Sequence, residues 1–227
     1  MKNNFPGTIR AVLFDLDGTL LDTLEDIAFS LNSVLELHGY PTHPLPDFRE
    51  MVGFGMEELV KRALPEYAHD QATMMPLQEQ MKAAYAGHWN VHSRPYEGIG
   101  MLLDTIDRLG LKKAILSNKP DGFTKLCADE LLSAWHFDLV MGHRDGIAHK
   151  PDPQGALYVA GELGIDPADF LYIGDSGVDM QTANSAGMYP FGVLWGFRTE
   201  AELREKGAAS LASSPDEIVS FLDALTG

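Results

Sequence analysis

From residue 96 onward the sequence alternates between two kinds of segment with little between them. "YEGIGMLLDTIDRLG" has the spacing of an amphipathic helix and stops at Gly110, and "KKAILSN" follows as a strand. "GFTKLCADELLSAW", "DPQGALYVAGELG" and "VDMQTANSAG" repeat the helical spacing, and each leads into a strand-like run: "FDLVMG", "DFLYIGDS" and "YPFGVLWG". Short apolar runs alternating with helices of this length form right-handed βαβ units, which build a parallel sheet covered on both faces. "IRAVLF" at 9–14 has the same character, a buried strand closed by Gly18, and joins that sheet. The fold class is α/β.

Between that first strand and the rest lies a stretch of different rhythm. Residues 22–38 read as an amphipathic helix with Ile27, Leu31, Val34, Leu35 and His38 on one face and acidic residues in its first turn. Gly39 ends it and Pro41 prevents its continuation. "PDFREMVG" and "GMEELVKRALP" read as two short helices and "QATMMPLQEQMKAAYAGHWNVH" as a longer one, with no strand signal to about residue 92. The expected organisation is a core of residues 1–21 and 93–227 and a helical insert of residues 22–92, with "NVHSRPYEG" returning the chain. The tail "SPDEIVSFLDALTG" reads as a closing helix.

Seventeen Lys+Arg against 33 Asp+Glu give a formal net charge of −16, which argues against nucleic acid or an anionic membrane as a partner. The single cysteine, Cys127, rules out an internal disulfide, fits a reducing compartment and reads as a small core residue. The apolar stretch before Asp15 is too short for a secretion signal, and no run approaches the roughly 20 residues that span a bilayer. A cytoplasmic enzyme is the expectation.

Ligands of open parallel sheets bind beyond the carboxyl ends of the strands. The polar residues there are Asp15, Asp17 and Thr19 after the first strand, and Ser117 and Asn118 after the second. Lys150 follows the third, and Asp175 and Asp179 follow the fourth. Side chains at i and i+2 of a strand point the same way, so Asp15 and Asp17 can face one site with Leu16 packed behind. Such a gathering of carboxylates suits a hard divalent cation of the Mg²⁺ type. Asp22, Asp47, Asp104 and Asp107 read as turn or surface residues.

Four of these segments, "FDLDGTL" (14–20), "LSN" (116–118), "HKPDP" (149–153) and "GDSGVD" (174–179), resemble in order the motifs of haloacid-dehalogenase-superfamily phosphatases. The likeness covers essentially the whole chain. It implies a Rossmann-like parallel-sheet core with helices on both faces plus a small all-α cap domain inserted after the first strand. "DT" after "GTLL", "SNK" at 117–119 and "VLWGFR" at 193–198 resemble the phosphoglycolate-phosphatase branch. The resemblance implies a Mg²⁺-dependent phosphatase acting on a small phosphate monoester. Asp15 would be the nucleophile that forms an aspartyl-phosphate, and Asp17 the acid and then base. Lys150 would neutralise charge beside Asp15. Thr19, Ser117, Asn118 and Lys150 would bind phosphate. The metal would be held by Asp15, the backbone carbonyl of Asp17, Asp175 and, through water or directly, Asp179. Within the insert, Gly53, Phe54 and Gly55 of "MVGFGM" are candidates for contacting the organic part of the substrate, and Arg62 and Lys61 for meeting a substrate carboxylate. His143 and His149 lie near the expected entrance. A monomer or homodimer is expected. The alternatives are a sugar-phosphate phosphatase, a pyrophosphatase or a phosphosugar mutase of the same superfamily, and, from another class, a receiver-like regulator.

Overall fold

The computed structural model describes residues 8–226. Its strands are β1 (Ala11–Phe14), β2 (Leu21–Asp22), β3 (Arg94–Pro95), β4 (Lys112–Pro120), β5 (Leu139–His143), β6 (Phe170–Gly174), β7 (Tyr189–Val193) and β8 (Ser210–Ala212). Four helices precede β3: α1 (Leu24–Leu37), α2 (Phe48–Met51), α3 (Met56–Ala63) and α4 (Gln71–Ala86). Six follow it: α5 (Ile99–Arg108), α6 (Asp121–Leu131), α7 (Gln154–Leu163), α8 (Gly177–Ala186), α9 (Glu200–Glu205) and α10 (Pro215–Thr226).

Six strands pair in the order β5-β4-β1-β6-β7-β8, all parallel, so β1 sits between β4 and β6 and the chain winds outward from it in both directions. The carboxyl end of β1 is therefore the switch point at which such sheets leave a crevice. The alternation along β1 shows why the sheet is covered twice. Ala11 and Leu13 pack with Leu116, Met141, Val159 and Tyr172 on one face, while Val12 and Phe14 pack with Ile115, Ile173, Phe191 and Phe221 on the other. Both sets lie out of solvent, as a central parallel strand requires.

The second apolar cluster runs without a break into the helical segment, taking in Leu31, Leu35, Phe48, Leu59 and Met81. No strand signal marks either end of this segment, yet β2 and β3 form a short antiparallel pair, with Leu21 opposite Pro95 and Asp22 opposite Arg94. The outgoing and returning chains thus run side by side. Asp26 of α1 reinforces the junction from a fully buried position, accepting hydrogen bonds from the Ser93 amide at 2.8 Å, the Ser93 hydroxyl at 2.7 Å and the His92 amide at 3.0 Å. Pro76 lies inside α4, which continues through it. β4 runs on through Ser117, Asn118 and Lys119, beyond the apolar run that announced it. Among the described residues no helix is long and apolar enough to cross a membrane.

Candidate active site

β1 ends at Phe14, and the chain then folds back on itself: the amides of Leu20 and Leu21 both donate to the Leu16 carbonyl. Gly18 in this turn has φ +86°, and a Cβ there would run into the Asp175 carboxylate, so the turn needs glycine on both counts. The tight approach carries the end of β1 to the end of β6. Asp15, Asp175 and Asp179 meet there, all three buried, with one ligand oxygen from each within 4.8 Å of the others.

Each carboxylate is held by named donors. Asp15 accepts from the Leu16 amide at 2.7 Å. Asp175 accepts from the Thr19 hydroxyl at 3.1 Å and the Phe197 amide at 2.8 Å. Asp179 and Ser176 form a capping box at the start of α8, the Ser176 hydroxyl donating to Asp179 at 2.6 Å. The ammonium of Lys150 lies among them, 2.9 Å from Asp15, 2.6 Å from Asp179 and 3.1 Å from the Leu116 carbonyl. An ammonium has three donors, so this set uses them all. Asn118 fixes the lysine's backbone, accepting from the Lys150 amide at 2.8 Å and donating to the Lys150 carbonyl at 3.1 Å.

The charges are frustrated. Burial, then the negative charge of Asp179, pushes the Asp15 carboxyl well above its ordinary range, although Lys150 opposes the shift. Asp175 is pushed up to about 7 by burial and by Asp179, against the pull of the Phe197 amide and Arg198. Burial alone would lower the Lys150 ammonium, but Asp15 and Asp179 outweigh it and raise the group overall. One lysine does not neutralise three carboxylates. A set of hard oxygen donors, closely spaced and short of positive charge, fits a divalent cation.

A pocket of about 500 Å³, part of it open to solvent, lies above this cluster. Asp15, Asp17, Ser117, Asn118 and Lys119 form its floor, and Ile27, Val52, Leu59, Met81 and Tyr85 of the helical segment form much of its roof. Asp17 borders the pocket but does not turn toward the other carboxylates. It accepts from the Thr23 hydroxyl at 2.7 Å and pairs with Lys119, whose Nζ is 2.8 Å and 3.0 Å from its two oxygens. The Lys119 ammonium also lies 4.6 Å from the centre of the Tyr85 ring.

The helical segment and the sheet domain are tied by hydrogen bonds at α2 and the loop after it. Asn118 donates to the Gly53 carbonyl at 2.9 Å, Arg198 to the Val52 carbonyl at 2.9 Å, and Arg49 to the Gly196 carbonyl at 3.0 Å. A Cβ on Gly55 would strike His149, which itself stacks on His143 with ring centres 3.5 Å apart.

The family model of haloacid dehalogenase-like hydrolases matches residues 12–193, spanning every residue of this cluster. The chain belongs to the haloacid dehalogenase-like hydrolases. Among its curated relatives within or beside that family, N-acetylmuramic acid 6-phosphate phosphatase of Pseudomonas aeruginosa is 32% identical, the match covering 95% of each chain. Phosphoglycolate phosphatase of Nitrosospira multiformis is 34% identical over 93% of this chain and 94% of its own. A solved structure from Lactobacillus delbrueckii, described as that of a candidate phosphoglycolate phosphatase, superposes with a TM-score of 0.89 at 29% identity, covering 95% of this chain and 99% of its own.

Within this hydrolase the structure brings together Asp15, Asp175, Asp179 and Lys150, with Asp17, Ser117 and Asn118 at the same pocket. Thr19 is fully buried behind Asp175, bonded to it. Gly53 and Gly55 border the pocket but Phe54 does not: its ring carries the Arg62 guanidinium at 3.8 Å. Arg62 is further tied to Glu58 at 2.9 Å and to the Glu50 carbonyl at 3.0 Å. Sequence reasoning passed over Lys119 and Tyr85. The signal for Lys119 was its position two residues after Ser117, on the same side of an extended chain.

Proposed function

We propose that the chain is a phosphoric monoester hydrolase that passes the phosphoryl group through Asp15. The observation that carries the reading is the Asp15 carboxylate at a pocket floor, 2.9 Å from a buried ammonium and beside two further buried carboxylates. An Asp15 oxygen attacks phosphorus in line, the bond from phosphorus to the leaving oxygen breaks, and Asp17 gives that oxygen a proton. Water then attacks the aspartyl-phosphate, Asp17 takes its proton, and inorganic phosphate leaves with Asp15 restored. Asp17 borders the same pocket on the far side of Leu16, which suits one carboxylate reaching phosphorus and the other the leaving oxygen.

Lys150 holds positive charge beside Asp15 throughout, and phosphoryl transfer depends on such fixed charge more than on covalent chemistry. The Ser117 hydroxyl, on the pocket floor, is a donor for a phosphoryl oxygen. Asn118 serves by holding Lys150 in place and Thr19 by orienting Asp175. Asp15, the main-chain carbonyl of Asp17, Asp175 and Asp179 would hold Mg²⁺. When bound it would relieve the carboxylate repulsion and supply charge to the phosphoryl oxygens.

Residues 22–92 act as a cap that excludes water and meets the organic part of the substrate. Phosphoglycolate is the first substrate to try, since a phosphoglycolate phosphatase is 34% identical. The relative named for a sugar 6-phosphate supports a sugar phosphate as the second reading. The enzyme would work in the cytoplasm.

The test is hydrolysis of p-nitrophenyl phosphate with Mg²⁺, with EDTA and by Asp15→Asn, together with acid-quench trapping of labelled phosphoenzyme. Metal-dependent turnover and a trapped acyl phosphate, both missing from Asp15→Asn, are expected. A variant that turns over like the parent would remove the nucleophile.

A further inference from the structure

Lys119 has no part in the chemistry just described, yet it is a buried cation at the substrate pocket. Among the described residues it is the only lysine or arginine side chain bordering that pocket. Its side chain is 5% exposed, and its stem lies in the floor while the roof above is apolar: Ile27, Val52, Leu59 and Met81. The ammonium is bonded to the two oxygens of Asp17, and Lys150 spends all three of its own donors elsewhere. Tyr85, against whose ring the ammonium rests, borders the same pocket, and its buried hydroxyl has no hydrogen-bond partner among the described residues. Burial pushes the Tyr85 phenol upward, so the hydroxyl stays protonated and able to donate.

We infer that Lys119 is the residue that selects the organic part of the substrate: its ammonium moves from Asp17 to a carboxylate carried by the phosphate ester, and the Tyr85 hydroxyl donates to the same group. The inference rests on the phosphatase reading above and deepens it. The preferred substrate class is then the phosphorylated hydroxy acid, in which phosphate and carboxylate sit on one frame. A phosphate monoester whose organic part is uncharged offers Lys119 nothing that Asp17 does not already give. A carboxylate brings one negative charge to one cation that is already out of water, while Asp17 keeps the Thr23 hydroxyl as its donor. A second phosphate, with nearly two charges, would leave charge unpaired in an apolar enclosure. The exchange also frees Asp17 to reach the leaving oxygen. Recognition of the carboxylate is therefore spent partly on kcat and not on KM alone.

Two matched pairs test this with the full chain and Mg²⁺: phosphoglycolate against its amide, and N-acetylmuramic acid 6-phosphate against N-acetylglucosamine 6-phosphate, which lacks the lactyl carboxylate. In at least one pair the acid should have a kcat/KM at least about tenfold higher, the ratio expected of one charge-assisted hydrogen bond. Lys119→Met should bring that ratio to within about twofold, and Lys119→Arg should keep most of it. Tyr85→Phe, a smaller change that keeps the ring, should lower it a few-fold, so the inference stays testable should Lys119→Met fail to fold. No acid preference in either pair, a preference that survives Lys119→Met, or a sugar bisphosphate preferred to both acids would each overturn the assignment. Phosphate release from p-nitrophenyl phosphate without any acid preference sinks the role of Lys119 alone. Absence of release from every ester sinks the phosphatase reading beneath it.

Discussion

The Lys150 ammonium lies 2.6 Å from an Asp179 oxygen, and both side chains are out of solvent, at 3% and 0% exposure. The same ammonium reaches Asp15 at 2.9 Å, so one cation holds two carboxylates that would otherwise repel. Lys150→Met strands both in a buried site. The expected loss is about 3–5 kcal/mol of stability in metal-free buffer, the cost of breaking a buried pair. Urea denaturation of parent and variant measures it, and a loss under 1 kcal/mol would show that the lysine is not the anchor of the cluster. Turnover should fall with it by at least about a hundredfold.

Mg²⁺ binding should be visible without any substrate. A ligand that binds only the folded chain stabilises it by RT ln(1 + [L]/Kd), so metal at about a hundred times its dissociation constant adds roughly 2.7 kcal/mol. Thermal melts in EDTA and in millimolar Mg²⁺ should therefore separate by several degrees. Asp175→Asn removes one of the three clustered carboxylates and should collapse the separation. An unchanged shift in the variant would place the metal elsewhere.

Asp26 binds the junction between α1 and the returning chain through His92 and Ser93. Asp26→Ala leaves the buried amide and hydroxyl of Ser93, and the His92 amide, without their acceptor, at an expected cost of about 2–4 kcal/mol. The residue is not at the pocket, so the loss should appear in the denaturation midpoint while KM for an aryl phosphate stays near the parent value. A raised KM with an unmoved midpoint would mean that Asp26 governs the pocket and not the junction.

Burial pushes the Cys127 thiol up to about 11, with the Lys119 charge opposing the shift. A group whose folded value lies above its unfolded value of 9.0 holds more protons in the folded chain between the two. Its stabilising contribution is whole below pH 9.0 and is lost as the pH rises through about 11. A thiol-disulfide reagent at pH 8 should label the native chain only at the rate of opening, and the urea-unfolded chain within the mixing time. Prompt labelling of the native chain would contradict the burial.

The sheet could be read in advance because β1, β6 and β7 are short apolar runs between helices with clear stops, and a parallel strand buried on both faces must look like that. β8 escaped because it is three residues long and begins with serine, and β2 and β3 because two residues carry no period. β4 runs past the expected "KKAILSN" because Lys119 and Pro120 carry no apolar strand signal, and their extended form is set by the site and not by burial of apolar side chains. The carboxylates could be collected from strand ends because topology brings those ends together. The direction of the Asp17 side chain could not. β1 stops at Phe14, the chain turns at once, and beyond the strand the rule of alternate residues no longer decides where a side chain goes. Lys119 was passed over because a single lysine in a sequence reads as surface until its counter-charge, here more than a hundred residues away, is seen beside it.

The pairing of β2 with β3 sets how the pocket can open. A segment whose entry and exit lie side by side, stapled by Asp26, cannot slide across the sheet; it can only swing. The bonds from Asn118 and Arg198 to the loop after α2, and from Arg49 of α2 to the Gly196 carbonyl, tie that segment to the sheet, and any such swing would have to break all three.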